Sequence, residues 1–185
     1  MTIAEKLRNT NRAEYLLYMW QVEDLIRAYH LDAERIAKEY VARFDLDKEQ
    51  KSQTEQWYAD LCRMMAEEGK REKGHLQICQ NILTGLDELH NQLVNSPKFP
   101  YYREMYYKVL PYIVELRAKN GTAAGQPQET DELQTCFELL YGLMLLRLQG
   151  KPVAPDTEKA ARDVATLLGQ LSDYYFKNKQ EPIEF

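Results

Sequence analysis

The chain has 185 residues, 44% of them hydrophobic, and a domain of that size hides roughly 70% of its unfolded surface, so folding requires neither metal nor disulfide. A formal net charge of -5 without a long Lys/Arg block argues against generic nucleic-acid binding, where phosphate neutralisation supplies most of the affinity. The longest uncharged apolar run of the greasiest stretch lies between Glu138 and Arg147, far short of the ~20 residues a membrane span requires.

Cys62, Cys79 and Cys136 are odd in number, widely spaced and set among apolar neighbours, which reads as three reduced, packed thiols rather than a disulfide framework or zinc knuckle. The amino terminus, MTIAEKLRN, carries charges from Glu5 onward and no apolar signal region, so the expectation is a cytoplasmic protein.

In chain order, the first expected helix begins at Asn11, with Glu14 three residues on in the manner of a capping box, and runs to about Tyr29. Tyr15, Met19, Val22, Ile26 and Tyr29 form one stripe, Leu16, Leu17 and Trp20 lie on the other side, and Glu23, Asp24 and Arg27 are set into that second side. A second helix follows Asp32, with Ala33, Ile36, Ala37, Tyr40 and Phe44 at amphipathic spacing. Asp47 with Gln50 starts a longer one, with apolar positions at Trp57, Tyr58, Leu61, Met64 and Met65 and a stop at Gly69. The charged run Glu67 to Gly74 reads as a solvated turn.

A fourth helix, from about His75 to Asn95, places Leu76, Cys79, Ile82, Leu83, Leu86, Leu89 and Leu93 on one face, and Ser96-Pro97 ends it. The fifth starts near Pro100 and aligns Tyr102, Tyr106, Val109, Ile113 and Leu116, with Tyr101, Met105 and Tyr112 along a second line. Pro111 inside it predicts a kink, at a cost of about 3 kcal/mol in an isolated helix. The segment Asn120 to Glu129, small and polar with Gly121, Gly125 and Pro127, is expected to be a flexible loop.

Leu133 to Leu148, LQTCFELLYGLMLLRL, is apolar on nearly every face, and a helix of that character is normally wrapped by others. The expected architecture is therefore all-α: a single-domain bundle of about seven helices around this buried central rod. Asp156 is the expected cap of the last helix, which carries Ala161, Val164, Leu167, Leu168, Leu171 and Tyr175. Residues 178–185 are expected to fray unless Ile183 and Phe185 dock. Gly85, Gly142 and Gly169 sit inside strong helical patterns at about 1 kcal/mol each relative to alanine. Close helix approach at those points is the expected reason, so that Gly142→Leu should destabilise severely.

Candidate sites are three. Trp20, Glu23, Asp24 and Arg27 combine two carboxylates and an arginine beside an indole, either as a pocket wall for a cationic or hydrogen-bonding ligand or as an intrahelical ion pair at the edge of the core. Glu72 with His75, and Asp87 with His90, show carboxylate-x-x-His spacing. The histidines, fifteen positions apart on one expected helix, would lie about 22 Å from each other, so no shared metal is expected. The tyrosines of the fifth helix, Tyr102, Tyr106 and Tyr107 foremost, interleave with Arg103, Lys108, Arg117 and Lys119 as core residues or as an interface. No nucleophile, phosphate-loop, dinucleotide or zinc-protease motif is present, and no catalytic residue or cofactor is implied.

The string NRAEYLLYMWQVEDLIRA, Asn11 to Ala28, resembles the opening of a bacterial family that carries only a domain-of-unknown-function label. The resemblance implies a compact all-helical protein and supplies no catalytic or binding residues. The leading expectation is an interaction or scaffold module that associates with itself or another protein, with no nucleic acid and no membrane. The rival is a small-ligand-binding or enzymatic bundle with its pocket near the first helix and the kinked fifth.

Overall fold

The computed structural model describes residues 3–124 and 132–185. The described residues form eight α-helices and no strand: α1 (Ile3–Thr10), α2 (Arg12–Ala28), α3 (Ala33–Arg35), α4 (Lys48–Glu67), α5 (Gln77–Asn95), α6 (Pro100–Ala124), α7 (Glu132–Leu148) and α8 (Pro155–Gln180). They group into two compact units, Met1–Ile82 and Leu83–Phe185, with the boundary inside α5.

In the first unit the helix starts are set by local side chains. Asn11 accepts hydrogen bonds from the amides of Ala13 and Glu14 through Oδ1, both at 3.1 Å, and Asp32 accepts from Arg35 N at 3.0 Å. Asp47 and Gln50 form a reciprocal capping box: Asp47 Oδ1 accepts from Gln50 N at 2.8 Å and Gln50 Oε1 accepts from Asp47 N at 3.2 Å. Gly69, at φ +68°, closes α4 in the left-handed conformation that glycine adopts at no steric cost. Helix α1 was not anticipated, because its eight residues carry little apolar character beyond Ile3, Ala4 and Leu7.

The helix expected after Asp32 forms, but not as one regular α-helix. α3 passes into a π-helical turn, Ile36–Tyr40, and a 3₁₀ turn, Val41–Arg43. The wider π turn changes the register, so that Ile36 and Val41, five apart, are both fully buried. Tyr40 is left half-buried and Phe44 is 44% exposed. The two rings assigned to the core by helical spacing therefore reach the surface of the unit.

In the second unit α6 packs on α7 and α8, and α7 on α8. Tyr102, Val109 and Ile113 are buried as the helical wheel predicts, as are Ala161, Val164, Leu167, Leu168 and Leu171 of α8. α6 continues through Pro111 to Ala124, so Asn120 to Ala124 are helical rather than part of a loop; residues 125–129 of the expected loop lie outside the described residues. Ala154 with Pro155 opens α8, and Asp156 lies in its first turn instead of capping it. Past Gln180 the chain docks: Ile183 N donates to Asn178 Oδ1 at 2.8 Å, and the rings of Phe99 and Phe185 sit 5.9 Å apart.

Two expectations are corrected. Leu133–Leu148 is not a wrapped rod: five of its 17 residues are buried, its second half is mostly half-buried and Leu148 is 73% exposed. α2 is the helix enclosed on most sides, with nine of 17 residues buried. Apolar character all round makes burial favourable but does not supply the neighbours, and among the described residues α7 packs mainly against α6 and α8. The helical glycines are likewise not close-approach points, because a Cβ at Gly85, Gly142 or Gly169 would meet nothing within 4 Å.

Alanine at these positions then gains helix propensity without a clash. Gly142→Ala and Gly169→Ala are each expected to stabilise the protein by about 0.5–1 kcal/mol, read as a rise in the urea midpoint with unchanged slope.

Candidate functional site

Glu23 is 0% exposed, and both of its oxygens are used. Leu76 N donates to Oε1 at 2.9 Å, and His75 Nδ1 lies 2.6 Å from Oε2. One further amide at the same helix start is held by Glu68 Oε2, which accepts from Gln77 N at 2.7 Å. The first amides of a helix have no intrahelical acceptor and attract negative charge. Two carboxylates, one from α2 and one from beyond the end of α4, thus cap the start of α5 from a distance in sequence.

The indole of Trp20 stacks on the His75 ring, with centroids 4.1 Å apart and planes inclined by 14°. Arg27 bonds Asp24 at 2.7 Å and donates to the carbonyls of Lys70 and Gly74, gripping the turn that leads into α5. Cys79, in the first turn of α5, completes the cluster: burial, and then the Glu23 carboxylate that it hydrogen-bonds, push its thiol up from the ordinary range. The four residues Trp20, Glu23, Asp24 and Arg27 are brought together with His75 as expected of a cluster. The intrahelical ion pair is Asp24–Arg27, not the Glu23–Arg27 pair that their four-residue spacing suggests, because Glu23 turns to His75 and Leu76 N instead; together these contacts form a clamp on the α4–α5 turn.

A separate cavity of about 450 Å³ lies in the same unit, lined by Ile3, Tyr18, Tyr40, Phe44, Leu46, Gln50, Gln53, Thr54, Trp57 and Tyr58. Tyr18 is five residues before Glu23, about 140° around α2 at 100° per residue, so this helix uses one side for the clamp and the other for the cavity. The π turn delivers Tyr40 and Phe44 to the wall. From α4 come positions 50, 53, 54, 57 and 58, which share one helical face. The rings meet edge to face: Tyr40 on Phe44 at 4.9 Å, Tyr40 on Tyr58 at 5.8 Å and Trp57 on Tyr58 at 4.9 Å between centroids. Tyr58 hydrogen-bonds Tyr18 and Tyr40, and burial above all raises its phenol, as it raises that of Tyr18. These hydroxyls are therefore neutral hydrogen-bonding groups at neutral pH.

The model of a family described as "Domain of unknown function (DUF4924)" matches residues 1–182. The chain belongs to the DUF4924 family. No curated protein and no solved structure gives a significant match. Among the described residues no helix is long and apolar enough to cross a membrane, and no group of three or more His, Cys, Asp or Glu side chains is placed to hold a metal ion.

The tyrosines singled out on α6 separate. Tyr102 is 0% exposed and its hydroxyl lies 2.7 Å from His90 Nδ1; Tyr106 is half-buried and donates to Glu132 at 2.8 Å. Burial, followed by that bond and the Glu132 charge, raises the Tyr106 phenol. Tyr107 is 58% exposed. Only the last belongs to a surface. The cavity residues in this DUF4924 chain were visible in the sequence as aromatic positions, but spacing assigned them to the core. The surplus of rings around positions 40, 44, 57 and 58 was the available signal, and the π turn that leaves Tyr40 and Phe44 at the surface of the unit was not.

Glu23→Gln keeps the shape of the side chain while removing a carboxylate acceptor shared by three partners, and is expected to lower stability by about 1–3 kcal/mol in urea unfolding. The folded state holds Cys79 protonated, whereas an unfolded thiol ionises near pH 8.5. The associated stability is complete below that value and declines as the pH rises beyond it. Cys79→Ala is expected to flatten this alkaline decline, measured as melting temperature between about pH 8 and pH 10.

Proposed function

We propose that this chain is a helical small-ligand-binding protein whose site is the aromatic cavity of the first unit. The observation that carries the reading is the lining itself: Tyr18, Tyr40, Phe44, Trp57 and Tyr58 around about 450 Å³, with Gln50, Gln53 and Thr54 as the polar groups. Ligand sites are typically concave, mostly apolar and supplied with a few placed polar groups, in the range of about 300–1,000 Å³. A π turn beside the cavity supports the same reading, because such turns recur at functional sites. Three buried free thiols fit a reducing, cytoplasmic setting.

A second reading, association with itself or another protein, is favoured by one observation on α6. Tyr101, Tyr107 and Val114 are 66%, 58% and 59% exposed, and Tyr107 and Val114, seven apart, share a helical face. Scattered apolar residues on a surface are ordinary, so this reading has the weaker support. Concentration-dependent mass in light scattering, lost on Tyr107→Glu, would favour it.

For the ligand reading, ligand-observed NMR with a set of neutral aromatic fragments is expected to give mutually competitive binders. Phe44→Glu puts a charge on an already exposed position at the cavity. It is expected to abolish that binding with little change in melting temperature, and unchanged binding in this variant would count against the site.

A further inference from the structure

We infer that the aromatic cavity takes an uncharged planar ring bearing a carboxamide or lactam edge. This rests on the reading of the cavity as a ligand site and adds the chemistry of its occupant. The inference comes from how the two glutamines are committed. Gln50 Oε1 already accepts from Asp47 N in the capping box, which spends one of its two lone pairs and leaves both N–H groups as its fuller offer to a guest. Gln53 Nε2 already spends one of its two N–H groups on Glu49 Oε1 at 3.2 Å, which leaves its carbonyl oxygen, with both lone pairs, as its fuller offer to a guest. Thr54 Oγ1 donates to Gln50 O at 2.8 Å and retains acceptor capacity.

One donor and one acceptor, three residues apart on the same face of α4, complement a guest that presents a carbonyl beside an N–H. Amide side chains read such paired edges in heterocycles. The rings of Tyr18, Tyr40, Phe44, Trp57 and Tyr58 suit the flat remainder of the guest, through offset or edge-to-face contact. Among the described residues no Lys, Arg, His, Asp or Glu lines the cavity. A carboxylate or a phosphate would therefore lose hydration without meeting an opposite charge; an ammonium would have only the ring faces to replace its hydration and would leave the glutamine carbonyl and N–H unmatched as a pair, whereas an amide exchanges its hydrogen bonds with water for the two offered here. An apolar ring without the edge would fill the space but leave that polar pair unanswered.

The test uses the full chain and four benzene derivatives of similar size: benzamide, benzoate, toluene and phenyltrimethylammonium. Binding is read by Trp57 fluorescence, with Trp57→Phe as the signal control, and by ligand-observed NMR. Benzamide is expected to bind about fivefold or more tightly than each of the other three. Gln53→Leu, at an exposed position that leaves the capping box intact, is expected to bring benzamide down to the toluene level with an unaltered melt. Benzoate, toluene or the ammonium binding as tightly as benzamide overturns the ligand class, as does a benzamide preference that survives Gln53→Leu; the cavity then remains a ligand site. Absence of any binding signal from all four compounds in the wild-type chain overturns the site reading, and the ligand class with it.

Discussion

The first unit depends on one buried carboxylate. Glu23 is shielded from solvent and so cannot rely on water for its hydrogen bonds; a group in that position is tolerated only when protein atoms replace every one of them. They come from Leu76 N, His75 and Cys79, all at or just before the start of α5. Satisfying Glu23 therefore fixes where α5 begins relative to α2. Arg27, through the carbonyls of Lys70 and Gly74, holds the intervening turn to the same helix. A charged turn that would otherwise be loose becomes a defined connection.

With α2 held on that side, its other side is available to build the cavity. Tyr18 projects there, and α4 brings Trp57 and Tyr58 beside it. The π turn at Ile36–Tyr40 is what prevents the rings from closing into ordinary core. One extra residue per turn buries Val41 and turns Tyr40 and Phe44 toward the opening. Such a turn sacrifices regular helical bonding, and here its consequence is a wall of aromatic edges around space large enough for a small molecule. The capping box at Asp47 and Gln50 has a double effect. It starts α4, and it also decides which end of the Gln50 amide faces outward.

In the second unit the distribution of apolar surface is less economical. α6 and α8 bury clean stripes, and the His90–Tyr102 hydrogen bond gives a buried hydroxyl its partner. α7 places its first turns in the core through Leu133, Cys136 and Phe137, then leaves Leu139, Leu145 and Leu146 half-covered along a groove of about 580 Å³. That groove belongs to a helix whose composition suits burial on every side but which, among the described residues, packs mainly against two helices.

Read by itself, the sequence determined most helix starts and ends, though not α1, the π turn or the helical course of α6 to Ala124. Asn11, Asp32 and Asp47 mark helix starts, Gly69 and Ser96-Pro97 mark ends, and the stripes of α5, α6 and α8 identify their buried faces. Each of these is a local property, governed by backbone hydrogen bonds and side chains within a few residues of one another. It also grouped Trp20, Glu23, Asp24 and Arg27, because four residues on adjacent turns must be neighbours. Only the tertiary structure decided that Glu23 would meet an amide 53 positions away, that α2 rather than α7 would be the enclosed helix, and that Tyr40 and Trp57 would border a cavity. Those outcomes turn on which helix supplies the missing neighbour. Apolar pattern states that a face prefers to leave water, but it is non-directional and names no partner.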